Sequence, residues 1–188
     1  LRAMKASGCR MVTVGFESGS QVVLDGMTKG NTVAAARRFM HDANAVGLSV
    51  HGCFIGGGIG ETKSSLAETL QHALDLRPRS AQFVPIMVYP GTKAFEWAER
   101  NDYLGSTDFG DWVTSQGTPN CQVSTPELSA EQVTAFCDYA RRRFYMRPEY
   151  MLRTALWAIR RPREWPRMAR GFLGLSRFIF RFGRRAPF

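Results

Sequence analysis

The amino-acid sequence predicts an α/β fold with parallel strands, followed by an all-helical C-terminal extension. Three apolar, strand-like runs alternate with helical periodicity between residues 11 and 100, and short loops connect them. After residue 101 the alternation stops, and a loop-rich segment precedes the final helices. Three βα units cannot close a barrel by themselves, so the sheet is either half of a (β/α) barrel or one side of an open sheet.

The first βα unit follows the end of a helix. Residues 1–7 (LRAMKAS) read as the last turns of a helix that Gly8 stops, and residue 1 is Leu rather than Met. We therefore expect the chain to begin inside a domain, as the C-terminal piece of a longer protein. Residues 11–16 (MVTVGF) form the first predicted strand, which ends in a turn through residues 15–19.

Two helical segments separate the first strand from the second. Residues 21–26 predict one or two helical turns. Asn31 is the predicted N-cap of a helix over residues 32–46, and Gly47 ends that helix.

The second strand leads into a glycine loop, in the stretch SVHGCFIGGGIGET over residues 49–62. We expect this apolar strand to be covered on both faces, and we expect the four glycines at 56, 57, 58 and 60 to let a ligand approach closely. Thr62 is the predicted cap of the next helix, with Glu61 near its positive end. The loop lacks the dinucleotide and phosphate-loop patterns, so a purely structural turn explains it equally well.

The third strand is predicted over residues 81–88 (AQFVPIMV), where Pro85 indicates an edge or a bulge. Thr92 is the predicted cap of a helix that extends to Arg100. In the loop-rich segment 102–125, Phe109 and Trp112 are the predicted anchors.

Two helices are predicted in the C-terminal part of the chain. Residues 129–144 form the first, in which Ser129 and Gln132 fit a capping box. Pro148 begins the second, which extends to Arg160.

The charge is unevenly distributed along the 188 residues. The formal net charge is +9, but residues 141–188 contain 14 Arg, no Lys and two Glu, which gives 14 − 2 = +12. Residues 1–140 contain the other 11 basic and 14 acidic residues, which gives −3. The four cysteines have no zinc-site spacing, and no apolar run reaches the roughly 18 residues of a membrane span. Free thiols and a cytoplasmic location are the expectation.

Three motifs in order carry a resemblance to a known family. GFESGS with a following M-x-K-G, then GCFIGGGIGET, then AQFVPIMVYPGT resemble the C-terminal half of the radical S-adenosylmethionine (radical SAM) barrel. The branch with an N-terminal cobalamin-binding domain is the most similar, and RFYMRP at 143–148 also fits it. The resemblance implies that residues 1–105 are half of the barrel, 106–147 a connector and helix packed on it, and 148–188 a basic helical tail.

The resemblance also implies a binding site for S-adenosylmethionine at the strand ends. Its residues would be Glu17, Ser18, Lys29, Ile55, Gly57, Val88 and Tyr89. The Glu17 carboxylate would accept hydrogen bonds from the ribose hydroxyls, and Lys29 would pair with the carboxylate of the methionine moiety. Ile55 and Gly57 would flank the adenine. Glu17 as a solvated turn residue and Lys29 as an ordinary surface lysine are the alternatives, and His51 and His72 are expected to be surface or packing residues.

Two departures from the family stand out. Ile59 occupies a loop position where the family usually has proline, and the C-x-x-x-C-x-x-C motif is absent. The resemblance implies that the ligands of a [4Fe–4S] cluster, and a cobalamin domain if there is one, lie in a preceding part of the protein. The complete enzyme would then generate a 5′-deoxyadenosyl radical and modify a lipid-like or tetrapyrrole-like small molecule, whereas this chain alone would be inactive.

The arginine-rich tail suggests a partner of its own. On a helix, residues 168–185 would place arginines in one sector and apolar residues opposite, which is typical of a membrane-surface segment. Attachment of residues 161–188 to an anionic membrane is one prediction, and docking on the rest of the protein is the alternative. A non-catalytic α/β module whose tail binds a membrane or nucleic acid is the competing function. Nucleic acid is disfavoured because residues 1–140 offer no second basic face.

Overall fold

The computed structural model describes residues 1–115, 117, 119–159, 162, 165–166, 169–171 and 173. Its strands and α-helices, in chain order, are α1 (Arg2–Ala6), β1 (Met11–Glu17), α2 (Gln21–Gly26), α3 (Val33–Ala45), β2 (Ser49–Gly56), α4 (Lys63–Leu76), β3 (Ser80–Pro85), α5 (Lys93–Arg100), α6 (Ala130–Tyr145) and α7 (Pro148–Ile159). A 3₁₀ turn covers Phe109–Trp112.

The described strands form one parallel sheet in the order β1-β2-β3, which confirms the α/β prediction. Met11 is opposite Ser49 at the start of the β1–β2 pairing, and His51 is opposite Ser80 at the start of the β2–β3 pairing. The β1–β2 register shifts between Gly15 and Glu17, so the last residue of β1 lies beside a bulge. Half of a barrel and one side of an open sheet both contain such an arrangement.

One face of the sheet carries the core. An aromatic row crosses it from Phe16 through Phe54 and Phe83 to Phe144 on α6, with ring centroids 5.8, 5.1 and 6.2 Å apart in succession. Helices α3, α4 and α6 contact this side of the sheet. The apolar faces of the helices are therefore buried against alternate residues of the strands.

The other face of the sheet is open among the described residues. Thr13 on β1 and Gln82 on β3 are exposed, and Cys53 on β2, opposite Gln82, is half-buried. The prediction that both faces of β2 are covered is therefore wrong for the part of the chain that the structure describes. The sequence predicted a strand covered on both faces because β2 contains few polar residues: Gly52 and Gly56 lie among the apolar residues Val50 and Phe54.

The outer edge of β3 is occupied by side chains of α6. The Tyr145 hydroxyl accepts a hydrogen bond from Ala81 N (3.0 Å) and donates one to Ala81 O (2.7 Å), and the Arg141 guanidinium donates to Phe83 O at 2.9 and 3.1 Å. Pro85 lies two residues further on the same edge, so its missing N–H costs no bond to β2, as the prediction of an edge requires. The strand ends at Pro85, three residues earlier than predicted. Because this edge is protected, the sheet can be extended only beyond β1.

Most predicted helix ends are confirmed. Thr62 and Thr92 accept backbone N–H bonds from Ser65 and Phe95, and Ser129 with Gln132 forms the capping box. Gly8, with a φ of +93°, follows the end of α1. The predicted cap Asn31 is wrong.

Thr32 caps α3 instead, because its hydroxyl accepts from Ala35 N at 3.0 Å. The Asn31 side chain donates to Gly15 O (3.1 Å) and so ties the loop before α3 to the end of β1.

The segment after α5 packs beside the carboxyl end of the sheet. Trp112 is buried in a second cluster with Ile86, Val88 and Val123 and is an anchor as predicted. Phe109 is exposed, although its ring makes a T-shaped contact with the Trp112 ring. The predicted tail helix over residues 168–185 lies mostly outside the described residues, and the domain boundaries stay predictions. Among the described helices none is long and apolar enough to cross a membrane.

Candidate functional site

Two polar segments meet at the carboxyl ends of β1 and β2. Glu17 ends β1, and the glycine loop at residues 57–60 follows β2. Helix α2 joins the two segments, because Gly26 packs against the Ile59 carbonyl and Val23 packs against Gly58. Since parallel strands end at the same edge of the sheet, the two segments are neighbours, as the candidate site requires.

Glu17 is held in an unusual conformation. Its φ is +64°, a left-handed value that non-glycine residues adopt at a cost of about 1–3 kcal/mol. Its side chain folds back over Gly15, where a Cβ atom would lie 3.1 Å from the Glu17 carboxyl carbon. Glu17 as a whole is 7% exposed. The solvated-turn alternative is therefore wrong, and this carboxylate is fixed in place.

Lys29 is the partner of Glu17. Its ammonium forms an ion pair with Glu17 Oε1, and its side chain keeps half of its surface in contact with solvent. Thr28 and Gly30, on either side, both have positive φ values, and Asn31 fastens this turn to Gly15. The structure thus brings together two of the predicted ligand-binding residues. Among the described residues Lys29 is the only hydrogen-bonding partner of the Glu17 carboxylate.

Ser18 is fully buried and faces α4. Its hydroxyl hydrogen-bonds to Thr69 Oγ1 (2.9 Å) and accepts from Ser20 N (3.1 Å), while Thr69 Oγ1 also accepts from Gly19 N (3.0 Å). The backbone at Gly19 lies so close to α4 that a Cβ there would overlap Glu68 O. Ser18 therefore fastens the turn after β1, and its predicted role as a ligand residue stays a prediction.

Glu61 is a second buried carboxylate, behind the glycine loop. Gly57 N donates to its Oε2 (3.3 Å), and the Ser65 hydroxyl donates to its Oε1. Burial raises the pKa of Glu61 to about 7, although these hydrogen bonds oppose the shift. The sequence predicted Glu61 only near the positive end of the helix. The signal for its buried role is the polar spacing of Glu61, Ser65 and Thr69, which continues from the residue before the cap along the buried face of α4.

The glycines of the loop serve packing as well as turning. A Cβ at Gly57 would lie 3.1 Å from Val133 of α6, and one at Gly58 would lie 2.6 Å from the terminal carbon of Met27. Side chains of α6 and of the turn after α2 thus occupy the space that Cβ atoms at Gly57 and Gly58 would need. Close approach of a ligand to Gly57 would have to occur at its backbone.

The remaining predicted site residues differ in accessibility. Ile55 is half-buried at the end of β2 beside the second cluster, Val88 is buried in it, and Tyr89 is exposed. Val88 and Tyr89 lie beyond β3 rather than on it, because the strand ends at Pro85. Ile55 and Tyr89 can line a site, whereas Val88 can only support one.

Three further nucleophilic or titratable groups, Cys53, His51 and His72, lie on β2 and α4. Burial, with a smaller contribution from the Glu17 charge, raises the pKa of Cys53, which therefore remains a thiol at neutral pH. His51 shares a 2.7 Å hydrogen bond with Ser80 Oγ. His72 is buried with no hydrogen-bond partner for its ring nitrogens among the described residues, and burial lowers its pKa, so it is a packing residue as predicted.

No family model matches the sequence. A protein of Pyrococcus horikoshii described as an uncharacterized methyltransferase is 30% identical over 152 residues, which are 81% of this chain. The matched segment is 32% of that relative, so the chain spans about a third of its length.

These comparisons correct the prediction of a radical SAM enzyme with an iron–sulfur cluster and a cobalamin domain. The relative is described as a methyltransferase, and no radical SAM or cobalamin family model matches. Within the described part of the chain, no group of three or more His, Cys, Asp or Glu side chains could hold a metal ion. The physical reason for the error is that each motif follows a strand, where any parallel α/β sheet uses glycines and polar turn residues. The motifs indicated the fold rather than the cofactor.

Proposed function

We propose that this chain is the S-adenosylmethionine-binding α/β part of a methyltransferase, with Glu17 at the centre of its site. The relative's description as a methyltransferase supports the reaction class. The observation that carries the site is the conformation of Glu17: a strained, nearly buried carboxylate at a strand end, held by one lysine. Strain of this kind persists where the surrounding structure enforces it, and it is concentrated at functional sites.

The side chains present suit the proposed ligand. A carboxylate accepts hydrogen bonds from a pair of sugar hydroxyls, and its charge also favours a nearby sulfonium. Lys29, half-exposed, can interact with the ligand's carboxylate while its ammonium remains near Glu17. Bound S-adenosylmethionine would supply an activated methyl group. The chain's own residues would fix the sugar and the charged end of the ligand.

The other contacts follow from accessibility. Ile55 and Tyr89 would form apolar walls, the backbone at Gly57 would border the ligand, and Ser18 and Val88 would hold these segments from behind. The open face of the sheet, with Thr13, Cys53 and Gln82, gives access to the same edge. Because the sheet can be extended only beyond β1, we propose that it is part of a larger α/β sheet or a partial barrel.

Calorimetric titration with S-adenosylhomocysteine tests this site. We expect Glu17→Gln to weaken binding about 10- to 100-fold, because charge-assisted hydrogen bonds contribute about 1.5–3 kcal/mol. Glu149→Gln is the matched control, because Glu149 is also ion-paired, to Arg77 at 2.8 Å, but lies on α7 away from the strand ends. Absence of saturable binding by the unmodified chain would overturn the proposal.

Adenosine and 2′,3′-dideoxyadenosine separate the sugar from the rest of the ligand. If Glu17 accepts the ribose hydroxyls, removal of both hydroxyls should weaken binding to the unmodified chain and should matter much less for Glu17→Gln. Equal losses in the two proteins would assign Glu17 to another part of the ligand.

A further inference from the structure

Helix α7 presents an apolar face that the proposed site does not use. The exposed residues on this helix after its first turn are Met151, Leu152, Ala155, Leu156 and Ile159, and none of them is charged. Leu152 and Ile159 are 63% and 70% exposed. We call these five residues the α7 stripe. Leu152, Leu156 and Ile159 have the spacing i, i+4, i+7, so they lie along one side of the helix.

The opposite side of α7 is fixed to the α/β body. The Arg153 guanidinium donates to Arg77 O (3.3 Å) and Pro78 O (3.2 Å), and the Tyr150 hydroxyl donates to Arg79 O (3.4 Å). The Arg79 guanidinium lies over the Trp157 ring, with its Cζ atom 4.1 Å from the ring centroid. These contacts fix the rotation of α7 about its axis, and the α7 stripe therefore faces away from the α/β body.

Trp165 extends the apolar surface beyond the helix. Its indole N–H donates to Ala158 O (2.9 Å), which places the ring beside the C-terminal end of α7, and the residue is exposed. Tryptophan with one hydrogen-bonding group and a large apolar ring is typical of the boundary between lipid and water.

The charge of the same part of the chain selects the partner. Residues 148–188 contain ten Arg, no Lys and two Glu, which gives 10 − 2 = +8, whereas residues 1–147 contain 15 basic and 14 acidic residues. One of the two glutamates, Glu149, is paired with Arg77. An apolar stripe next to a strongly cationic segment suits a lipid surface, which has an apolar interior and anionic headgroups.

We propose that the α7 stripe docks on an anionic phospholipid surface, to which the net positive charge of residues 148–188 is attracted. Leu152, Leu156 and Ile159 would enter the boundary between headgroups and acyl chains. The α/β body would then be held with the N-terminal end of β3, which α7 contacts, toward the lipid. The inference is independent of S-adenosylmethionine binding.

Vesicle co-sedimentation of the 188-residue chain tests the docking. We expect binding to vesicles of phosphatidylcholine with 30 mol% phosphatidylglycerol, at least about tenfold weaker binding to pure phosphatidylcholine, and weakening at high salt. Leu152→Gln with Ile159→Gln should reduce binding to the anionic vesicles about tenfold or more. Val22→Gln with Val113→Gln is the matched control, because these residues are 71% and 50% exposed but lie outside α7.

A measurement on the unmodified chain keeps the test independent of the variants. Brominated lipids should quench its tryptophan fluorescence, because Trp165 would lie at the headgroup boundary. Absence of vesicle binding, equal binding by the stripe variant and the control, or absence of quenching would each overturn the proposal.

Two other outcomes would assign the stripe elsewhere. A dimer in light scattering that the stripe variant converts to a monomer would make the stripe an interface between copies and overturn lipid docking. Tighter binding of a single-stranded oligonucleotide than of anionic vesicles at physiological salt, unchanged in the stripe variant, would overturn it as well.

Discussion

Glu17 ends β1, and Glu61 follows the neighbouring strand β2. Both are nearly buried, but their surroundings differ. The Glu17 carboxylate lies over Gly15 and is ion-paired with the Lys29 ammonium. Among the described residues, the Glu61 carboxylate accepts hydrogen bonds from the loop N–H of Gly57 and the hydroxyl of Ser65, and neither group is a cation. The first arrangement places a half-exposed cation beside the carboxylate, whereas burial of the second carboxylate raises the pKa of Glu61 to about 7.

The difference shows how one residue type performs two tasks in one motif region. A carboxylate paired with a half-exposed lysine can bind a ligand together with that lysine. An enclosed carboxylate without a cation instead joins the loop to the first turn of its helix. The nearest charge and the exposure of that charged partner decide between the two tasks, not the position of the carboxylate near the end of a strand.

The largest expected effect concerns the support of Glu17. We expect Gly19→Ala to reduce the free energy of unfolding by about 3 kcal/mol, because the added methyl group would overlap Glu68 O and lie 2.7 Å from the His72 Cβ. Urea denaturation measures the change. Gly171→Ala is the control, because a methyl group there would meet no atom of the described residues within 4 Å. A loss below about 1 kcal/mol would mean that the turn after β1 moves freely relative to α4.

The next effect concerns the pH dependence that Glu61 confers. Its pKa is about 7 in the folded chain and near 4.5 in the unfolded chain, so the folded state binds the extra proton between these values. This contribution is complete below pH 4.5 and is lost as the pH rises through 7. Between pH 5.5 and pH 8 the unmodified chain should lose about 2 kcal/mol of stability from this group.

Comparison with Glu61→Gln isolates that contribution. His72 has the opposite effect on stability, because its lowered pKa makes the folded chain less stable as the pH falls below 6.5. This effect is the same in both proteins, so it cancels in the comparison. The difference in unfolding free energy between the two proteins should therefore change by about 2 kcal/mol from pH 5.5 to pH 8. A constant difference would show that Glu61 titrates normally and that its enclosure is ineffective.

The smallest expected effect is that of Glu17→Gln on stability. Because Lys29 is half-exposed, solvent screens the ion pair, and we expect a loss of only about 0.5 kcal/mol in thermal or urea unfolding. The same substitution should weaken ligand binding strongly. A stability loss above about 2 kcal/mol would show that Glu17 is mainly structural and would reverse the contrast with Glu61.

Local patterns in the sequence predicted most of the elements. Alternation of apolar runs with helical periodicity predicted the three strands and the helices between them, and hydroxyl residues predicted the caps at Thr62, Thr92 and Ser129. Errors occurred where a tertiary contact overrode the local signal. Asparagine is a favourable capping residue, but the Asn31 side chain donates to Gly15 O instead. Strand β3 ends at Pro85, although the apolar sequence continues beyond it.

The candidate site was only partly predictable. The sequence predicted Glu17 and Lys29 as members of one site, which stays a prediction, and the structure pairs them. Their pairing depends on the turn that Thr28 and Gly30 form, which no spacing rule specifies. Likewise, the roles of Ser18 and Glu61 depend on the hydroxyls of Thr69 and Ser65, and only the packing of α4 against the strand ends brings Ser18 to Thr69.

The sequence by itself determined the order of strands and helices, the ends of most helices and the concentration of positive charge after residue 147. These properties depend on neighbours within a few residues or on composition alone. Only the tertiary structure decided which face of the sheet is open, which side of α7 points outward and which carboxylate has a cation beside it. Each of those depends on atoms that are distant in sequence, and only packing brings them into contact.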